Sequence, residues 1–188
     1  MFRNAGGKFF QDVTTSGGFG HLQKGHGIAF GDIDNDGDQD IFEKMGGAVE
    51  ADHYRSVLYE NPGNSNSWLK LKLVGVKSNR AAIGARIKVT IQGSEGAATI
   101  CRTVSSGGSF GGNPLRQEIG LGAAQSIAEV EVSWPTSGTV QKFNRMITNS
   151  CYEIREGDPE PTLVRLNAFK LATGSAQADH SHYHHHME

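Results

Sequence analysis

The chain has 188 residues, a formal net charge of −2 and 25 glycines, with aromatic residues at only 8%. That length holds one domain of ordinary size, or one with a smaller companion, and the near-neutral charge excludes a basic field for nucleic acid. No apolar run approaches the roughly 20 residues of a membrane-spanning helix, and residues 1–7 lack the apolar core of a secretory signal.

Glycine-rich sequence with short apolar runs predicts an all-β protein. Residues 9–14 (FFQDVT), 27–32 (GIAFGD), 40–45 (DIFEKM) and 56–61 (SVLYEN) read as short strands separated by glycine turns. From Trp68 the pattern sharpens: residues 68–75 (WLKLKLVG) and 85–93 (ARIKVTIQG) alternate apolar with polar, giving each strand one buried and one wet face. Runs at 98–104, 115–122, 127–134, 139–143 and 151–157 follow at strand-and-turn spacing, which predicts an antiparallel β-sandwich-like domain or a barrel. After the breaker at 158–161 (DPEP), residues 162–172 add one more strand-like run, and the chain ends in a polar stretch with five histidines from His180 to His186. That end reads as a disordered tail or a purification remnant, with transition-metal binding as the alternative. Three zones result: a glycine-rich β segment over 1–63 that carries an acidic loop, a β domain over 64–157, and an extension over 158–188.

Residues 32–43 (DIDNDGDQDIFE) carry the strongest chemical signal. Asp32, Asp34 and Asp36 occupy positions 1, 3 and 5 of a tight loop, and Gly37 at position 6 permits the sharp turn; oxygen ligands at this spacing suit Ca²⁺. Asp38 at position 7 is expected to ligate through its backbone carbonyl, its side chain turned away. Counting on to Glu43 gives an EF-hand pattern, but Gly25, Gly27, Gly31, Gly46 and Gly47 break the flanking helices such a motif requires, at about 1 kcal/mol each. The loop therefore joins two strands, Asp40 closes it, and Glu43 is expected at the surface. Crowded carboxylates repel by about 1 to 4 kcal/mol per pair, so cation binding should be coupled to local folding.

The unit GIAFGDIDNDGDQDIF resembles the FG-GAP/VCBS repeats of integrin-like β-propellers. Downstream, NSWLKLKLVGVKSNRAAIGARIKV, GGSFGGNPLRQEIGLG and VSWPTSGTVQKF resemble the ASPIC/UnbV domain that ends cartilage-acidic-protein-like proteins. The resemblance spans about residues 1 to 157. It implies an extracellular or cell-surface calcium protein without established catalysis, with Asp32, Asp34, Asp36, Asp38 (carbonyl) and Asp40 as the metal set. Relatives carry many repeats ahead of this domain and the chain has about one, so it reads as a C-terminal piece, a fragment or a self-assembling relative.

Other features have ordinary explanations beside the functional ones. His21, Lys24, His26 and His53 flank the acidic loop and suggest a metal-assisted hydrolase, but an oxygen-saturated calcium loop leaves no open position for water. The glycine-rich stretch 105–112 lacks the helix of a phosphate loop and reads as a flexible hairpin end. Arg80 and Arg86 suit a carboxylate or sulfated sugar, or ordinary pairing. Trp68 and Trp134 are expected in the core, or on a sugar platform if exposed. Cys101 and Cys151 lack metal or redox spacing and are either free buried thiols or one inter-strand disulfide. The expected function is a non-enzymatic, extracellular calcium-binding interaction or adhesion module whose partner is a protein or glycan at the cell surface. The alternatives are a structural subunit assembling through open strand edges, and a glycan-active or metal-assisted hydrolase.

Overall fold

The computed structural model describes residues 1–21, 24–47, 54–94 and 96–171. Among these every regular element is a strand, and neither a closed barrel nor a propeller forms. His53 and the five tail histidines lie outside the described residues.

Two four-stranded sheets make the larger part. The first runs β8 (Gly96–Thr103), β7 (Arg86–Gly93), β10 (Ser126–Ser133) and β11 (Val140–Phe143) side by side, all antiparallel. The second orders β9 (Gln117–Gly122), β6 (Ser67–Val74), β12 (Ser150–Arg155) and β13 (Thr162–Val164). Here the fully antiparallel expectation fails, because β6 and β12 are parallel, with Leu69 opposite Ser150 and Val74 opposite Arg155. Period-two patterning fixes which face a residue takes but is silent on strand direction.

Alternation places one core between the sheets. Leu69, Leu71 and Leu73 of β6 meet Ile87, Val89 and Ile91 of β7, with Val130, Val132, Ile119, Ile154 and Trp134 in the same buried cluster. A bulge between Ile127 and Glu129 lets Ile127 and Val130, three apart in sequence, share the inward face. Trp134 is thus a core residue, its Nε1 donating to Gln141 Oε1.

Ahead of these sheets stand a hairpin of β1 (Phe2–Ala5) and β2 (Phe9–Asp12), and a three-stranded antiparallel sheet of β3 (Gly25–Gly31), β4 (Asp40–Met45) and β5 (Val57–Tyr59). The hairpin exposes Phe2, Phe9 and Phe10. The stretch 105–112, expected as a free hairpin end, instead docks on the edge of β3, where Ile28 N donates to Phe110 O at 3.1 Å. Its glycines permit that approach: a Cβ on Gly111 runs into the Ile28 carbonyl, and one on Gly27 into the Phe110 carbonyl. The three-stranded sheet also reaches β6 and β9 through the loop after β3, where Asp32 bonds to Lys70 and Glu118.

Candidate metal centre

The acidic loop connects β3 to β4, and the pair Gly31–Asp40 closes its base. Local polar bonds build the turn. Asp36 N donates to Asp34 Oδ1 (3.2 Å), Asp38 N to Asp36 Oδ1 (3.1 Å) and Gly37 N to Asp32 Oδ2 (2.9 Å). Asn35 at φ 61° and Gly37 at φ 112° supply the left-handed steps that fold it back. Asp32, Asp34 and Asp36 each bring one carboxylate oxygen within 4.8 Å of the others. Oxygens bound to one Ca²⁺ at about 2.3–2.6 Å are separated by no more than about 5 Å, so the trio fits that ion.

Asp38 and Asp40 take other places. Asp40 is buried, and its two oxygens accept from Ile33 N and Asn61 N, both at 3.0 Å. It braces the loop against the chain after β5 and stands outside the three-carboxylate cluster. The Asp38 side chain is half-buried, with Oδ1 buried and unpartnered. Burial first, then the charges of Asp36, Asp40, Asp32 and Asp34, push its pKa up to about 6. Burial also raises Asp34, in part against the bond from Asp36 N.

Much of the neutralising charge comes from the second four-stranded sheet. Lys70 on β6 is buried and its ammonium donates to Asp32 Oδ2, both side chains being 1% exposed. It also lies 4.5 Å from the centroid of the Trp68 ring, a cation–π contact. Asp32 N donates to Glu118 Oε2 (2.9 Å), which also accepts from Gln39 Nε2 (3.0 Å). Arg116 pairs with Glu118 Oε1 (2.7 Å) and reaches the Asp32 carbonyl (3.3 Å). From the far end of the chain, Phe169 N donates to Asp34 O (2.9 Å) and Asn35 Nδ2 to Asn167 O (3.4 Å). Gly37 packs on Trp68 so closely that a Cβ there collides with the indole. Asn149, at φ 56°, holds Trp68 by two bonds: its backbone N donates to Trp68 O, and its side-chain Oδ1 accepts from Trp68 N. Despite this supply of donors Asp32 Oδ1, like Asp38 Oδ1, is buried and has no partner. A buried carboxylate oxygen without a donor is costly.

Lys70, Arg116 and Glu118 were not legible as site residues. Their signal in the sequence is only that Lys70 and Glu118 fall on the polar positions of strands β6 and β9, which reads equally as a solvated face.

Residues 75–161 match the family described as ASPIC and UnbV. No curated protein matches the chain. The ASPIC and UnbV match begins just after β6 and runs past β12, so it covers the first sheet and leaves the acidic loop outside.

Inside the matched segment lies another buried carboxylate, Glu156, which has no mark in the sequence. Glu156 accepts from Val76 N, Lys77 N and Ser78 N at 2.6–2.7 Å, and from the hydroxyls of Ser78 (2.9 Å) and Ser137. Burial raises its pKa, but the bonds from Ser137, Ser78 and Val76 outweigh that and hold it down at about 2. With five donors on its two oxygens, Glu156 organises the loop 75–80.

Glu43, expected at the surface, is buried and paired with His21 Nε2 at 3.0 Å. It lies on the Ile41 face of β4, opposite glycine-rich β3, where Gly25 leaves room for its carboxylate. His21 and His26 do not join the three-carboxylate cluster. Arg80 and Arg86 are exposed and, among the described residues, form no ion pair. Cys101 on β8 is exposed and Cys151 on β12 buried; both are free.

Proposed function

We propose that residues 32–40 hold one Ca²⁺ and that the chain is an extracellular, calcium-stabilised interaction module without catalysis of its own. The carrying observation is the trio Asp32, Asp34 and Asp36, with Asp32 Oδ1 buried and lacking a donor. In this reading the three carboxylates and the Asp38 carbonyl ligate the ion, and Asp40 either joins them or keeps its bracing bonds. The strand–loop–strand unit is then an FG-GAP/VCBS-type repeat set against an ASPIC/UnbV domain. Because the loop is bonded to β6, β9 and the segment after β13, the ion acts as a fastener between chain segments.

The test is a thermal melt and a calorimetric titration of the metal-free chain. Calcium is expected to bind at one site and to raise Tm, and Asp32→Asn with Asp36→Asn to abolish both effects. An unchanged Tm in calcium and in EGTA defeats the assignment.

A second reading, assembly through open strand edges, is favoured by one observation. The hairpin β1–β2 exposes Phe2, Phe9 and Phe10, and among the described residues its strands pair only with each other. Sedimentation of the chain at rising concentration tests it, and a monomer throughout excludes it.

A further inference from the structure

Between the outer side of the acidic loop and the strands β6 and β9 lies an open cleft of about 390 Å³. That volume falls in the range of about 300–1,000 Å³ used for small ligands. Its floor is formed where Trp68 pairs with Gly120 and Ser67 with Gly122. Gly122, at φ 60°, needs glycine for its backbone. Gly120 has no such need, and a Cβ built there meets nothing within 4 Å. The Trp68 indole therefore does not fold over Gly120 to fill the space; it leans on Gly37 and lies under Lys70. The glycine leaves open a strand position that a side chain would close.

The walls carry polar groups with no protein partner among the described residues. Asp38 Oδ1 is buried and unpaired. Asn64 uses its Oδ1 on Asn66 N (2.8 Å), which leaves its Nδ2 and the whole Asn66 amide free. Carboxylate and amide groups suit vicinal hydroxyls, and an indole takes the C–H face of a ring. Asp36 and Asp38 repel anions, while the charge of Lys70 is consumed by Asp32 and Trp68.

From the juxtaposition of Trp68, Gly120, Asp38, Asn64 and Asn66 we propose that this cleft binds a neutral saccharide. The proposal deepens the interaction-module reading and rests on it, but not on the calcium ion. It also separates the two tryptophans, since only Trp134 is spent on the core.

The test presents the full chain, in calcium and in EGTA, to an array of neutral, N-acetylated and sulfated oligosaccharides. The tightest hit is then titrated calorimetrically against Gly120→Leu and Asn66→Ala. Binding confined to uncharged sugars is expected, falling about tenfold or more in Gly120→Leu and several-fold in Asn66→Ala, at an unchanged Tm. If Gly120→Leu lowers Tm, the exposed Asn66→Ala variant decides alone. No binding, a preference for sulfated sugars, or affinity indifferent to Asn66 overturns the proposal. A calcium-dependent Tm without sugar binding overturns only the cleft; sugar binding lost in Asn66→Ala with no calcium effect overturns only the metal site.

Discussion

Lys70→Met is the perturbation that reports most directly on how the acidic loop is held. Methionine keeps the length and much of the volume of the lysine stem, so little packing is lost, while the ammonium disappears. The two partners are each 1% exposed, so Asp32 is left as a buried charge without its counter-ion. Breaking a buried pair from one side costs about 3–5 kcal/mol. In a chain of this size that lowers Tm by about 6–20 °C, read by calorimetry in EGTA. In the proposed calcium reading the ion supplies positive charge to the same carboxylates, so the deficit should shrink when it is bound, and the calcium-induced rise in Tm should be larger in the variant than in the parent. Adding Asp32→Asn to Lys70→Met in EGTA restores most of the loss, because the orphaned charge is then gone. A Tm in EGTA within about 2 °C of the parent, well below the smallest fall worked from that cost, refutes the energetic role of the pair. A smaller calcium response in the variant refutes the sharing of Asp32 between ammonium and ion.

Three further outcomes follow from the same geometry. Gly37→Ala forces a Cβ into the Trp68 indole at φ 112°, and should cost about 2–5 kcal/mol from strain and overpacking, with a shift in tryptophan emission; a silent variant contradicts the packing. Glu156 has its folded pKa held down at about 2 from 4.5, so its stabilisation is present above pH 4.5 and is lost as pH falls toward 2. Glu156→Gln should lower Tm at neutral pH and flatten the acid limb of a Tm–pH curve, and an acid limb of unchanged steepness counts against it. Asp38 has the opposite sign: its folded pKa is raised from 3.8 to about 6, so the native state takes up a proton, and gains stability, as pH falls through that window. In EGTA, Asp38→Asn should raise Tm at pH 7 and remove that gain, and an unaltered curve rejects the shift.

Strand positions and buried faces were legible because alternation is a local property. Leu69, Leu71 and Leu73, or Ile87, Val89 and Ile91, announce an inward face without any knowledge of their partners. The loop 32–40 was legible for the same reason, since its turn-forming bonds run between near neighbours. Whatever depends on distant segments was hidden. The parallel pairing of β6 with β12 leaves no mark in either strand. Lys70 looks like any solvated lysine of an amphipathic strand until Asp32 is laid on it, and Glu43 looks exposed until His21 covers it. Glu156 follows the last regular residue of β12 and resembles a polar strand end, although three backbone amides converge on it. The two tryptophans carry the same signal in sequence, and only the opposed faces of β6 and the end of β10 separate them.

The bond between Asn35 and Asn167 joins residues 132 apart, and it fixes the order in which the molecule can be completed. The acidic loop emerges early from the ribosome, yet Lys70, Glu118, Asn149 and Phe169, which hold it or the tryptophan beneath it, arrive one after another over the rest of synthesis. Closing contacts over such spans is slow, so the nascent loop spends that time as a strongly charged, uncompensated turn. A cation available during synthesis would meet the loop before its protein partners do. Folding of this chain would then differ between a compartment rich in divalent ions and one poor in them, even where the finished structures are identical.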